Sequence, residues 1–199
     1  VVPLRNEARH IEECLQSVLD QDYPQDRIQI VVVDGMSNDG SRESVSQLSR
    51  IHGNVRLLDN PCCITPVAMN IGIRNADADV VIVLGAHAYL APDYISHCIA
   101  ALRTSAAEAV GGRLVVVPGK GIVARSICLA ISHPFGVGDS RFRYSDQMGF
   151  VDTVPYAAYR REVLERVGLF DETLVRNQDL ELNHRIRAAG GRLFFTPAI

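Results

Sequence analysis

Apolar positions along this chain follow two alternating periods. Between Glu7 and Asp20, the residues Ile11, Cys14, Leu15, Val18 and Leu19 fall at i, i+3, i+4, i+7 and i+8, the stripe of an amphipathic helix. YPQD then interrupts the pattern. The run RIQIVVVD, from Arg27 to Asp34, is β-branched and nearly continuous, as in a parallel strand covered on both faces. GMSNDGS turns the chain, and Asp39 or Ser41 can cap a helix reaching Arg50. A strand NVRLLD (54–59) follows, then a helix to Ala76, with Thr65 as its N-cap and Pro66 as its first helical residue. DVVIVLG (79–85) reads as a strand, Pro92 to Thr104 as a helix and AEAVGGRLVVVP (107–118) as a strand. This alternation predicts an α/β fold: a mostly parallel, Rossmann-like sheet flanked by helices on both faces, its strand order left open.

The pattern changes after Pro118. Ile122 to Ser132 is an apolar helix, and HPFGVGDSRFRYSDQMGF (133–150) has the length of a lid or binding loop. VDTVPYAAY (151–159) is strand-like, and RREVLERVGLF (160–170) is a short helix closed by Gly168. NQDLELNHRIRAAGG (177–191) is a helix with a glycine stop, and RLFFTP (192–197) is a last strand. The organisation is therefore one domain in two halves, 1–118 and 119–199.

Composition narrows the function classes. The 199 residues suffice for a substantial core, and 47% hydrophobic with 22% charged residues is ordinary for a globular chain. A formal net charge of −3 supplies no basic field for nucleic acid. No apolar run of about 18 residues spans a membrane. The five cysteines form no C-x-x-C pair, and Cys14 and Cys98 occupy apolar helix positions, which fits a reducing, cytoplasmic setting. The chain starts at Val1 within an apolar run and stops after RLFFTPAI, so it reads as a fragment of a longer protein.

Candidate chemistry gathers where parallel strands end, the edge at which such sheets bind ligands. Asp34 closes a buried strand and serves either as a cap for the following turn or as an acceptor for a ligand. Glu7 is equally divided between a ligand contact and the start of its helix. DGMSNDGS is not an EF-hand loop, because Met36 and Val45 stand at ligand positions, and it lacks the P-loop Lys-Ser/Thr. Gln178, Asp179 and Glu181 open a helix whose dipole favours acids, and Asp179 is also a candidate general base with His184 and Arg185 one turn on. Gly85-Ala86-His87 stands at a strand end where a phosphate-handling enzyme would place metal-holding carboxylates.

In order, VVPLRNEARHIEECLQSVLDQDYP, IVVVDGMSNDGS, MNIGIRNADADVVIVLGAHAYLAPDYI and VGLFDE...NQDLELNHRIRAAGG resemble a family-2 glycosyltransferase of the GT-A fold. HPFGVGDSRFRY and VDTVPYAAYRREVLERVG are similar to the succinoglycan-biosynthesis, ExoA-type branch. The resemblance implies an inverting transfer from a nucleotide-diphosphate sugar, a UDP-sugar, to a saccharide or lipid-linked saccharide in exopolysaccharide or cell-envelope synthesis. It implies that 1–118 binds the donor and that 119–199 carries the acceptor side and the base. Pro3, Leu4, Arg5 and Glu7 match the segment around the nucleotide, Asp34 the acid that meets the base, and Asn70 the asparagine beside the diphosphate. Asp179 matches the catalytic base, with Gln178 where the family has Glu. Gly85, Ala86 and His87 match the D-x-D triplet that holds Mn²⁺ or Mg²⁺, so His87 is the remaining metal candidate and Gly85 removes a carboxylate. Arg5, Arg113, Arg141 or Arg143 could neutralise phosphate instead, and Gly85→Asp is expected to raise metal-dependent activity. The resemblance further implies membrane association through segments outside this chain, at the cytoplasmic face. The alternatives are a non-catalytic nucleotide-sugar-binding domain with a degraded metal motif and a nucleotidyltransferase. The second would need a Gly-rich basic loop after the first strand, which PLRNEARH is not.

Overall fold

The computed structural model describes residues 1–138 and 140–199. Strands β1 (Val2–Leu4), β2 (Ile30–Asp34) and β3 (Val55–Asp59) form a parallel sheet in that order. Leu4, Asp34 and Asp59 lie level at its carboxyl edge. All five residues of β2 are buried. Their side chains alternate as the pleat requires. Ile30 and Val32 join the core cluster containing α1 (Ile11–Leu19) and α4 (Tyr94–Thr104), whereas Val31 and Val33 pack with Ala68 of α3 (Thr65–Asn75). The continuous β-branched run is thus a strand covered on both faces.

The predicted stripe on α1 is the buried one: Ile11, Cys14, Leu15 and Val18 face inward. The helix itself begins at Ile11 rather than Glu7, because residues 6–8 are committed to another loop described below. Helix α2 (Ser41–Ile51) follows β2. Helix α3 opens one residue earlier than its sequence signal suggests: Ile64 is the N-cap and Thr65 makes no capping hydrogen bond. Its Gly72 lets the helix cross the end of β1 closely, since a Cβ there would come within 2.3 Å of Val1 Cγ1.

The second sheet departs from the parallel expectation. Strands β4 (Val80–Ile82), β5 (Ala109–Gly111), β6 (Gly149–Val151), β7 (Ala158–Arg160) and β8 (Leu193–Phe195) are ordered β4-β7-β5-β8-β6. Strand β7 is antiparallel to both neighbours, β6 is antiparallel to β8, and only β5–β8 is parallel. The Val1 nitrogen donates to the Ile82 carbonyl (2.8 Å) and Leu84 N–H to the Val1 carbonyl (3.0 Å), joining β1 to β4 in the parallel sense. The two sheets therefore form one platform.

Strand β5 is far shorter than 107–118. After Gly111 the chain leaves the sheet: Arg113 N–H donates to the Ile199 carbonyl and Leu114 N–H to the Phe142 carbonyl. Gly112 lies so close to Ile199 that a Cβ would be 2.4 Å from its carbonyl oxygen. The rest comprises α5 (Ile122–Ile131), α6 (Pro134–Val137), α7 (Arg161–Val167) and α8 (Gln178–Ala188). The long 133–150 segment thus contains a helical turn and Arg141–Arg143 in 3₁₀ conformation, while Asp139 lies outside the described residues. All five cysteines are free thiols, and no described helix is long and apolar enough to cross a membrane.

Candidate active site

Two loops at the carboxyl edge are sewn together by side chains of the SNDGS turn. Asn6 N–H donates to Ser37 Oγ (2.9 Å), Glu7 N–H to Ser41 Oγ (2.8 Å) and Ala8 N–H to Asp39 Oδ2 (3.0 Å). Asn38 N–H returns a bond to Asn6 Oδ1 (3.0 Å). The polar cluster is a clasp, which is why α1 starts late. Hydrogen bonds from the Ser41 hydroxyl and from Ala8 N–H hold the Asp39 carboxyl below its ordinary value of 3.8. A depressed carboxyl contributes stability above its unfolded pKa and loses it as pH falls through the folded one. Acidification below pH 3.8 should therefore loosen the clasp. Thermal melts should show Asp39→Asn less stable than the parent near neutrality, with the gap closing in that acid range. An unchanged gap would reject the account.

The clasp frames a cavity of about 620 Å³, within the usual range of small-molecule sites. Pro3, Leu4, Arg5, Glu7, Gly85, Ala86, His87 and Asp179 all line it. Sequence positions from both halves of the chain are thereby brought to one wall-to-wall space. Ala88 N–H donates to the Gly85 carbonyl (2.9 Å), closing a turn that presents His87. His87 Nδ1 lies 3.1 Å from Glu7 Oε1. A carboxylate on one imidazole nitrogen fixes the ring and leaves the other for a ligand, the arrangement that orients metal-binding histidines. Among the described residues no three His, Cys, Asp or Glu side chains converge as a metal site. A divalent cation would fit here only as one imidazole ligand from His87, braced by Glu7, with donor phosphates and water supplying the rest.

Two candidates lie elsewhere. Asp34 is fully buried behind the wall at Gly35. Ser37 N–H sits 3.2 Å from each of its oxygens, and Arg42 Nη1 reaches it at 3.1 Å while also binding Asp59 at 2.7 Å. The paired carboxylates at the ends of β2 and β3 thus share one guanidinium, a role for Arg42 that spacing did not reveal. Asn70, expected beside the diphosphate, is turned away from the cavity. Its amide donates to the Phe170 carbonyl (2.8 Å) and to Glu172 Oε1 (2.8 Å), and its oxygen accepts Phe170 N–H (3.0 Å). It braces the segment that leads to α8.

The cations also separate. Arg5 lines the cavity with Nη1 on the Cys63 carbonyl (3.0 Å), and Arg143 lines it beside Phe142. Arg113 is instead paired with Asp146 (2.6 Å), and Arg141 does not reach the wall. Asp179 stands in the first turn of α8, after Asn177 in left-handed conformation (φ 60°), and its Oδ1 accepts Leu180 N–H (2.9 Å). Arg185, one turn on, does not assist it. Its guanidinium binds Glu181 and the Val167, Gly168 and Leu169 carbonyls, tying α8 to the end of α7. Tyr156 lines the cavity against Gly85. Nothing in its local sequence marks it, because only the sheet pairing of β7 with β4 brings it there.

A family model, Glycosyl transferase family 2, matches residues 1–168. The chain is 30% identical over its whole length to a dolichyl N-acetyl-alpha-D-glucosaminyl phosphate 3-beta-D-2,3-diacetamido-2,3-dideoxy-beta-D-glucuronosyltransferase of Methanococcus voltae, covering 64% of it. It is 29% identical to the succinoglycan biosynthesis protein ExoA of Rhizobium meliloti, over 98% of this chain and 59% of that protein. The chain thus spans about three fifths of the length of these relatives. Among solved structures, the mannosyltransferase PcManGT of Pyrobaculum calidifontis, in complex with GDP-Man and Mn²⁺, superposes with a TM-score of 0.73 at 26% identity. That match covers 98% of this chain and 53% of the other. S. aureus TarS 1-349 with UDP-GlcNAc gives a TM-score of 0.74 at 17% identity, over 100% and 55% of the two chains. With its strand platform, its edge cavity and this family match in agreement, the chain has the GT-A fold and belongs to glycosyl transferase family 2.

Proposed function

We propose that this chain is the donor-binding and catalytic part of an inverting glycosyltransferase. It moves a sugar from a nucleotide-diphosphate sugar, a UDP-sugar, to a hydroxyl of a saccharide or lipid-linked saccharide in exopolysaccharide or cell-envelope synthesis. The observation that carries this reading is that Asp179 lines the same cavity as Arg5, Arg143 and His87. A candidate base thereby shares one space with hydrogen-bond donors suited to a departing diphosphate. The acceptor oxygen forms its bond to the anomeric carbon as the bond from that carbon to the phosphate oxygen breaks. The acceptor proton passes to an Asp179 oxygen, and the nucleoside diphosphate leaves with the bonding electrons. A divalent metal, when bound, supplies charge neutralisation on the diphosphate, with His87 as its protein contact. Pro3, Leu4, Arg5 and Glu7 hold the nucleotide end. Asp34 acts from behind Gly35, where it fixes the floor on which the base rests. Residues 1–118 form the donor half and 119–199 the acceptor and base half.

Exposed apolar side chains on α5 and beside it, Ile122, Val123, Leu129 and Phe135, support placement of the full protein against a membrane face where lipid-linked acceptors reside. A second reading, a nucleotide-sugar-binding domain without turnover, is favoured by Gly85 and Gln178, which each lack an acid. The test is a panel of UDP- and GDP-sugars offered to the full-length protein with Mg²⁺, with Mn²⁺ and with chelator. Transfer with any donor supports the enzyme; tight donor binding without transfer or hydrolysis across the panel would leave the binding domain.

A further inference from the structure

The missing carboxylate at Gly85 has a neighbour that explains what replaces it. A Cβ built on Gly85 would lie 3.2 Å from Tyr156 Oη, 3.3 Å from its Cε1 and 3.6 Å from its Cζ. The phenol therefore stands against the place where a side chain at position 85 would begin, closer than ordinary contact, so one of the two must shift. It arrives from the opposite segment, just before β7, and not from the 85–88 turn.

The placement is held by backbone geometry. Tyr156 has φ 46°, a left-handed conformation that non-glycine residues seldom adopt. Residues kept in such regions are over-determined by their surroundings and cluster at functional sites. Here the holding group is Tyr94, whose buried hydroxyl donates to the Tyr156 carbonyl at 2.6 Å. Beneath the corner, Cys14 Sγ contacts the Gly85 carbonyl at 3.6 Å, and burial pushes that thiol up to about 12, so it remains a neutral donor. The Tyr156 hydroxyl itself makes no hydrogen bond to the described residues and faces the cavity that Asp179 and Arg143 line. Burial, and then the Asp179 carboxylate, push the phenol upward, keeping its proton in place at neutral pH.

We propose that Tyr156 supplies the polar contact Gly85 has given up, its hydroxyl donating a hydrogen bond to a diphosphate oxygen of the nucleotide donor. This rests on the donor-binding reading above and adds a residue to it. A neutral donor suits a corner that has lost an acid, because it meets phosphate charge without first needing a metal to screen a carboxylate. The strained backbone aims that donor in advance, so little ordering is left for the moment of binding. The phenol and an acid at 85 also compete for one volume. Gly85→Asp in the otherwise unchanged chain is consequently not expected to raise metal-dependent turnover, contrary to what the triplet alone suggests.

The test is calorimetric titration of the full-length protein and its Tyr156→Phe variant with UDP and GDP, with UMP and GMP as single-phosphate controls, each in chelator. Because the hydroxyl has no hydrogen-bond partner among the described residues, the variant should melt as the parent does. Loss of a hydrogen bond to a charged group should weaken the preferred nucleoside diphosphate by about 10- to 100-fold and the monophosphate far less. Equal diphosphate affinity in parent and variant overturns the assignment, as does an equal loss for mono- and diphosphate. A gain of Mn²⁺-dependent turnover in Gly85→Asp with Tyr156 intact contradicts the shared volume. If the folded parent binds none of the four nucleotides in chelator and none with Mn²⁺ restored, the donor-binding reading falls, and this one with it. Diphosphate binding that ignores Tyr156→Phe removes only the present proposal.

Discussion

Asp179→Asn is expected to bind a nucleoside diphosphate as the parent does and to transfer sugar about 10²- to 10⁴-fold more slowly, the typical contribution of a positioned general base. That factor corresponds to roughly 3–5 kcal/mol of barrier. The reasoning is geometric. Asp179 sits in the first turn of α8, and its Oδ1 accepts Leu180 N–H, leaving Oδ2 for the acceptor hydroxyl. Asparagine preserves the volume and can still accept Leu180 N–H, but its amide cannot take a proton. In the proposed reading, donor binding runs through Arg5, His87 and the clasped loops and does not pass through this oxygen. The measurement is single-turnover transfer beside UDP or GDP titration for both proteins. A variant that loses diphosphate affinity as steeply as turnover would make Asp179 a binding group; one that keeps full turnover would move the base elsewhere on the wall.

Asn70→Ala should cost mainly stability. The side chain satisfies both backbone groups of Phe170 across a sequence separation of 100 residues, in a buried setting. Removing it leaves a buried N–H and a buried carbonyl without partners, each worth about 1–3 kcal/mol. A loss near 3 kcal/mol would lower the melting temperature by about 6–12 °C in a chain of this size. Donor affinity, measured well below the melting point, should fall only modestly, because Asn70 does not touch the cavity. Unchanged melting together with a large loss of UDP or GDP binding would instead return Asn70 to the diphosphate.

The two residues show different degrees of legibility. Asp179 has a local mark, an acid in the first turn of a helix, which spacing alone leaves as helix-start stabilisation and only the family resemblance matches to a base. Its position on the cavity follows once that helix is placed. Asn70 is equally visible as a motif residue, but what it touches is decided by a segment 100 residues away. Arg42 and Tyr156 carry no local mark at all. Arg42 becomes meaningful only when β2 and β3 pair and bring Asp34 level with Asp59. Among the four arginines considered for phosphate, only contact geometry separates Arg5 and Arg143 from Arg113, which is already paired with Asp146.

The strand–helix alternation of residues 1–118, the doubly covered β2 and the buried stripe of α1 are readable from the chain, because side-chain periodicity is imposed by backbone geometry over a few residues, whereas the strand-like run 151–159 divides into the end of β6 and the start of β7. The direction of β6 and β7 is not, since an apolar run pairs as well either way and the long segment before them can return the chain in either sense. The early end of β5 is likewise set by Gly112 meeting Ile199. The Gly85 corner depends on both kinds of information. The resemblance of GAH in VLGAHA to the D-x-D triplet marks a position without an acid, but the phenol beside it is not marked, because it comes from a segment whose approach only long-range packing specifies. A local pattern can show which group is absent; the group that fills its space depends on contacts between residues far apart in the chain.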